Sequence, residues 1–208
     1  MRYDDYSYLF PPRPEDAISP QMLTMMERRG FHAQIKKNGT CNVLAVSPDK
    51  QIVARSRHKD THKLWTPNPA KLAAFTSLPG KGWYVFVCEL MHSKVPGIRD
   101  INYVHDVLVH NGDYLVGTKQ IDRYARLCSI FGTDKLEQTY SHYGLDEHTW
   151  IARQFIEGFK ALYDSLGEAQ DEGLVLKDPN APLQLCTRAG SNNKGMLKSR
   201  KGHKNYTF

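Results

Sequence analysis

An α+β fold with mostly antiparallel sheets is the class this sequence predicts, and three observations point to it. β-rich apolar segments outnumber helical ones. They come in hairpin-like groups separated by turn signals such as Asn38-Gly39 and Asn111-Gly112, not in regular alternation with helices. The chain has 208 residues, 40% of them hydrophobic and 24% charged, which is enough for a full core without staples. The same composition excludes a coiled coil, a collagen and a disordered tail.

Each element follows from local pattern. Residues 1–20 are rich in Tyr and Pro and read as an extended arm laid on the domain. Ser19 and Pro20 can start a short helix that runs to about Arg29 and stops at Gly30. Strands are expected at 31–37 and 41–47 around the Asn38-Gly39 turn, then at 51–56. A short helix fits 68–78. Residues 82–91 and 102–109 are strand-like, and Asn111-Gly112 leads to a short strand at 113–115. Over 118–130, Ile121, Tyr124, Ala125 and Cys128 share one helical face. A second helix is expected over about 146–165, with Ile151, Phe155, Phe159 and Leu162 on its apolar side. Strands at 173–177 and 195–200 close the chain, and Asn205-Tyr206-Thr207-Phe208 reads as a final strand.

The longest nearly apolar stretch, Trp83 to Val87, is far short of a membrane helix, and the start lacks a signal-peptide pattern. Cys41, Cys88, Cys128 and Cys186 have no metal-like spacing and read as reduced thiols, so a cytoplasmic protein is expected. His58 and His62 are four apart, but surface histidines are the simpler reading of that pair. The net charge of +6 suits a polyanionic partner. Arg188, Lys194, Lys198, Arg200, Lys201 and Lys204 close the chain with no acid among them. Neither GxxxxGK[ST] nor GxGxxG occurs.

Chemistry concentrates in an ordered series. It runs Lys36-Lys37-Asn38-Gly39, Ser56-Arg57, Glu89-Leu90, His105-Asp106-Val107-Leu108, Glu172-Gly173-Leu174-Val175-Leu176-Lys177 and Lys198-Ser199-Arg200. In order, spacing and strand placement it resembles the covalent nucleotidyltransferases: ATP-dependent DNA ligases, RNA ligases and mRNA capping enzymes. The resemblance spans residues 30 to 201. It implies two mostly antiparallel sheets flanked by helices, with a nucleotide cleft between them. A single adenylation domain over 1–208 is expected, with arm 1–20 and no OB-fold, as in a small phage-type enzyme.

The resemblance assigns roles residue by residue. Lys36, three before Gly39, is the nucleophile that takes up AMP from ATP as a phosphoramidate, with pyrophosphate leaving. An amine attacks phosphorus only when neutral, and free lysine titrates near ~10.4. Burial or the nearby cations Lys37, Lys177 and Lys198 can lower that value. By itself, Lys36-Lys37 is also the pattern of a surface pair at a hairpin turn. Glu172, with Glu89, is implied to hold Mg²⁺ or Mn²⁺ near the phosphates. Glu89 is alternatively a ribose contact. Lys177 is placed near the α-phosphate, although residues 172 and 177 fall on opposite faces of a regular strand. Lys198 and Arg200 share a strand face and would neutralise triphosphate oxygens. Arg57 is matched to nucleotide and 5′-phosphate contact, and His105 to the ring that stacks on the base. Gln34, Ile35 and Gly39 complete the implied nucleotide site.

Departures accompany the match: Asn38 for the usual Asp, Cys41 for an Arg, Gln34 for a Glu, and Lys-Ser-Arg for Lys-x-Lys. The expected function is ATP-dependent sealing of nicked double-stranded nucleic acid by a monomer. DNA is the first choice, with RNA-containing strands tolerated. RNA ligation, mRNA guanylylation and a non-catalytic binding module are the alternatives. Arg55, Arg57, Lys59, Lys63, Lys201 and Lys204, with Trp65 as an aromatic platform, are expected to grip the nucleic acid.

Overall fold

Ala33 and Ile35 alternate with Gln34 and Lys36, so one short strand carries an apolar face and a polar one. The same alternation recurs at Leu174 and Leu176 against Val175 and Lys177, and the fold is built around those two faces. The computed structural model describes residues 8–202, apart from 168, 187, 189 and 191. The strands are β1 (Arg13–Ala17), β2 (His32–Lys37), β3 (Thr40–Val46), β4 (Ile52–Ser56), β5 (Tyr84–Met91), β6 (Ile101–His110), β7 (Asp113–Tyr114), β8 (Glu137–Gln138), β9 (His142–Gly144), β10 (Thr149–Ala152), β11 (Asp171–Lys177) and β12 (Asn192–Arg200). The helices are α1 (Leu23–Arg28), α2 (Ala73–Thr76), α3 (Gln120–Phe131) and α4 (Phe159–Ser165).

The class is α+β with two sheets, as expected. The small sheet has the order β1-β12-β11-β2, and the large one β4-β3-β5-β6-β10-β9-β8, with β7 paired to β6. Pairing is mostly antiparallel; β1 on β12 and β10 on β6 are parallel. Leu23 and Met26 from α1 and Phe159 and Tyr163 from α4 bury the apolar face of the small sheet against Ala33, Ile35, Leu174 and Leu176. The large sheet buries Val43, Phe86 and Val107 with Phe75, Leu127 and Phe131. Each fully buried side chain of this size contributes roughly 1.5–3 kcal/mol. The four cysteines are free thiols.

Tertiary context moved several elements. Asn38-Gly39 is not a hairpin turn, because β2 and β3 belong to different sheets and the chain crosses between them there. The arm is not merely laid on the surface: it supplies β1. The helix expected over 146–165 is only α4 at its end. Thr149 and Ile151 are fully buried, and Ile151 pairs with Val104, so the segment is the strand β10 instead. Gly158, at φ 74, then starts α4. In α3 the buried residues are Gln120, Arg123, Leu127 and Phe131, whereas Ile121 is 42% exposed. Trp65 lies in the large-sheet core and offers no open platform. The final strand expected over 205–208 lies outside the described residues.

Arg123 explains the rotated face of α3. Its Nε and Nη2 donate to the two Asp106 oxygens at 3.0 and 2.9 Å, and its Nη1 donates to Thr118 O at 2.8 Å. Burial pushes the Asp106 carboxyl up, but the Arg123 guanidinium and the Lys177 ammonium outweigh it, and the net pKa is lowered. The pair's contribution is therefore complete above the usual Asp value of about 3.9. It fades as pH falls through that value and then through the lower folded one. Asp106→Asn should lose about 3–5 kcal/mol at neutral pH, because Arg123 is left buried and unpaired. Urea unfolding as a function of pH should show a smaller acid-side loss in the variant than in the wild type.

Candidate functional site

The polar face of the small sheet and the free face of the large one enclose a cavity of about 350 Å³. Gln34, Lys36, Val175, Lys177, Met196, Lys198 and Arg200 line one side. Cys41, Glu89, Tyr103 and His105 line the other. Eight basic side chains and two carboxylates, Glu89 and Glu172, surround it. An enclosure with that balance is an anion site.

A bulge brings Glu172 to this cavity. Asp171 pairs with Lys37 and Gly173 with Lys36, so β11 carries one residue more than β2 at that point. Glu172 thereby leaves the face of Leu174 and Leu176 and joins Val175 and Lys177 at the cavity. Gly173 adopts φ +133, and a Cβ there would stand 2.0 Å from Ser199 O, so the position admits only glycine. Gly39 is constrained by space. A Cβ on it would lie 2.6 Å from Leu90 O and 2.7 Å from Glu89 Cγ, which is why the crossing between sheets can pass tight against β5.

The two adjacent lysines take different partners. Lys37 Nζ is buried and donates to Asp171 Oδ1 at 2.7 Å, with the Tyr140 hydroxyl on Asp171 Oδ2 at 2.8 Å. Its ammonium also lies over the Tyr103 and Tyr140 rings. Lys36 Nζ instead enters the cavity and hydrogen-bonds Glu172 Oε2. Arg200 Nε stands 4.0 Å from the same oxygen.

The electrostatics follow from burial. Lys177 is desolvated and donates to His105 O at 2.9 Å; burial lowers its pKa to about 8. Burial, aided by the Lys177 ammonium, holds the His105 imidazole down at about 3, so its ring is neutral at pH 7. Burial raises the Glu89 carboxyl, and the Lys36 and Lys94 ammoniums partly offset that. Burial pushes the Cys41 thiol up to about 11.

All ten residues expected to bind nucleotide line this one cavity: Gln34, Ile35, Lys36, Gly39, Arg57, Glu89, His105, Lys177, Lys198 and Arg200. Arg55, Lys59 and Lys63 do not. Arg55 faces a separate groove with His62 and Thr66, and Lys59 and Lys63 are exposed. Lys201 donates to Leu166 O at the end of α4 and lies over the Tyr163 ring, where it satisfies a helix carbonyl. Lys204 lies outside the described residues. Sequence reasoning missed Arg13, Lys94 and Tyr103 in the cavity wall. Lys94 donates to Gly39 O from a loop with no motif around it. Alternation with His105 along the strand could have found Tyr103.

Among the described residues, no group of three or more His, Cys, Asp and Glu gathers for a metal. His62 Nε2 instead meets Asn42 Oδ1 at 3.0 Å. Glu89 and Glu172 do share the cavity, and the charge of Glu172 acts on Glu89. Two carboxylates fit Mg²⁺, which takes its remaining ligands from phosphates and water. No helix among the described residues is long and apolar enough to cross a membrane.

No family model and no curated protein matches the sequence. Solved structures do match. A mycobacterial DNA ligase D complexed with ATP and MES superposes with a TM-score of 0.66 at 15% identity, over 92% of this chain and 60% of that one. The ligase domain of M. tuberculosis LigD gives 0.65 at 14%, with the same coverage. A Lig E DNA ligase gives 0.52 at 12%, over 83% and 62%. The chain thus spans 60% of the two mycobacterial chains. What it shares with these proteins at such identities is the fold, that of the ligase nucleotidyltransferase core.

Lys177 makes anion binding pH-dependent with a defined sign. It is charged below about 8 and neutral above, so tripolyphosphate affinity should fall as pH rises through that value. Lys177→Met should weaken binding by roughly 1.5–3 kcal/mol at pH 7 and flatten this part of the profile, as read by titration calorimetry.

Proposed function

We propose that the chain is an ATP-dependent polynucleotide ligase that seals 5′-phosphate/3′-hydroxyl nicks through a lysyl-AMP intermediate on Lys36. One observation carries this reading: Lys36, Arg57, Glu89, His105, Glu172, Lys177, Lys198 and Arg200, scattered along the chain, converge on one cavity. Composition does not demand that convergence, and the chemistry does.

The nucleotide lies with its α-phosphorus at Lys36 Nζ. One proton leaves the ammonium for water before attack, and Glu172, already hydrogen-bonded to it, orients the amine. Nitrogen then bonds to phosphorus, the bond to the bridging oxygen breaks, and pyrophosphate departs with the electron pair. A second proton leaves the nitrogen for water. Lys177 and Lys198 stabilise charge that builds on the phosphate oxygens. The neutral His105 ring offers a flat face to the base. A divalent cation held by Glu172 and Glu89 would supply further neutralisation of the phosphates. The 5′-phosphate of the nick then displaces Lys36 from AMP, and the 3′-hydroxyl displaces AMP in turn.

Nicked duplex DNA is the proposed substrate, with RNA-containing strands tolerated. The groove beside the edge strand β4 is the proposed grip, because Arg55 faces it, Lys59 and Lys63 follow in the exposed segment after β4, and Arg57 continues it into the cavity. Lig E, with a similar fold, is a DNA ligase described as binding DNA with a minimal scaffold.

The test is retention of label. With α-labelled ATP and Mg²⁺, the wild type should carry label through a denaturing gel, GTP should not substitute, and Lys36→Ala should lose the signal. An unlabelled wild type, or a labelled Lys36→Ala, sinks the reading. Replacing Arg55, Lys59 and Lys63 by Gln should weaken nick binding and flatten its log–log salt dependence. The slope should drop by up to about 0.9 for each phosphate that is no longer neutralised. An unchanged slope would move the grip elsewhere.

A further inference from the structure

The chain ahead of β2 ties the two sheets together. Tyr8 donates its hydroxyl to Ser56 O at 2.6 Å, and Leu9 is buried in the large-sheet core. Arg13 then opens β1, which runs beside β12 in the small sheet. The segment between crosses from one sheet to the other, and Pro12, Arg13 and Pro14 form cavity wall where it does so. Both flanks are anchored. Arg57 Nη1 donates to Pro11 O at 3.3 Å, and Ile18 N donates to Lys198 O at 2.8 Å. Proline on each side of Arg13 fixes φ at both neighbours, so the guanidinium is presented from a stiff backbone.

Arg13 and Lys198 also differ from the other cavity cations. Lys36 and Arg200 approach Glu172, Lys37 holds Asp171, and Arg57, Lys94 and Lys177 donate to the carbonyls of Pro11, Gly39 and His105. Among the described residues, neither the Arg13 nor the Lys198 side chain has a carboxylate within ion-pair distance or a hydrogen bond. Burial lowers the Lys198 pKa first; Arg200, Arg13 and Lys36 lower it further, and Asp16 opposes them only in part. Two cations on neighbouring strands therefore repel each other across the cavity wall. A ligand carrying several anionic oxygens relieves that repulsion, and a guanidinium can grip two of them at once.

We propose that Arg13, with Lys198, binds the β- and γ-phosphates of the nucleotide and stabilises the departing pyrophosphate. This rests on the ligase reading above. As Lys36 nitrogen bonds to the α-phosphorus, the bridging oxygen leaves with its electron pair, and the added charge falls on the group Arg13 holds. Arg13 thus acts when the enzyme is charged with AMP. It has no part in sealing, where pyrophosphate is absent.

The full chain is compared as wild type, Arg13→Gln and Arg13→Lys. By calorimetry, Arg13→Gln should bind pyrophosphate at least about tenfold more weakly, with Arg13→Lys in between and AMP affinity unchanged. In rapid quench, Arg13→Gln should form lysyl-AMP from ATP at least about tenfold more slowly, yet keep its rate on a nick that already carries a 5′-adenylate. Unchanged pyrophosphate affinity in a variant with wild-type melting temperature overturns the proposal, as does an equal loss in charging and sealing. If Arg13→Gln melts early, Arg13→Lys decides by the same two ratios. Should the wild type form no lysyl-AMP, the ligase reading falls, and the contrast between pyrophosphate and AMP still decides whether Arg13 is a phosphate site.

Discussion

Two adjacent lysines with opposite fates are what the cavity depends on. Lys37 is locked under the sheet by Asp171, Tyr140 and two aromatic faces, a geometry that satisfies a buried ammonium. That lock fixes the end of β2, and fixing it leaves Lys36 no face but the cavity. A buried ion pair of this kind contributes little net stability against an apolar replacement, but it specifies an orientation. Here the orientation is that of the amine in contact with Glu172.

The bulge on β11 completes the arrangement. Without it, the strand period would put Glu172 among Leu174 and Leu176, facing α1 and α4. One extra residue and a glycine at positive φ reverse that parity. The glycines that look like punctuation in the motifs are therefore geometric necessities. Gly39 lets the chain change sheets against β5, and Gly173 lets a carboxylate change faces. The surrounding cations then meet few countercharges, so the cavity favours an anionic ligand.

Most of the elements with clear local signals were legible. The strands at 84–91 and 101–110 and the helix at 120–131 carry unambiguous periods, and each lies within two residues of its expected bounds. The failures have their causes in partners far away along the chain. Arg123 turned the face of α3 because Asp106 awaited it, and no periodicity treats arginine as a core residue. At 149–152 an apolar helical spacing lost to a vacant place beside β6, where Thr149 and Ile151 could be buried as a strand. Arg13 gave no signal of its place in the cavity wall, because nothing in a Pro-rich arm shows which way its side chains turn.

Residue identity by itself determined the inventory: which side chains can attack, neutralise or hold a metal, and the order in which they occur. That holds because the reactivity of an amine or a carboxylate belongs to the group. Where those groups meet was decided only by the folded chain. A cavity wall is made of contacts between strands far apart in sequence, and a one-residue shift in register, or a strap from the first residues, changes which face a charge occupies. The contacts that set Lys36 against Glu172 and bring the charge of Arg13 to bear on Lys198 are of that kind.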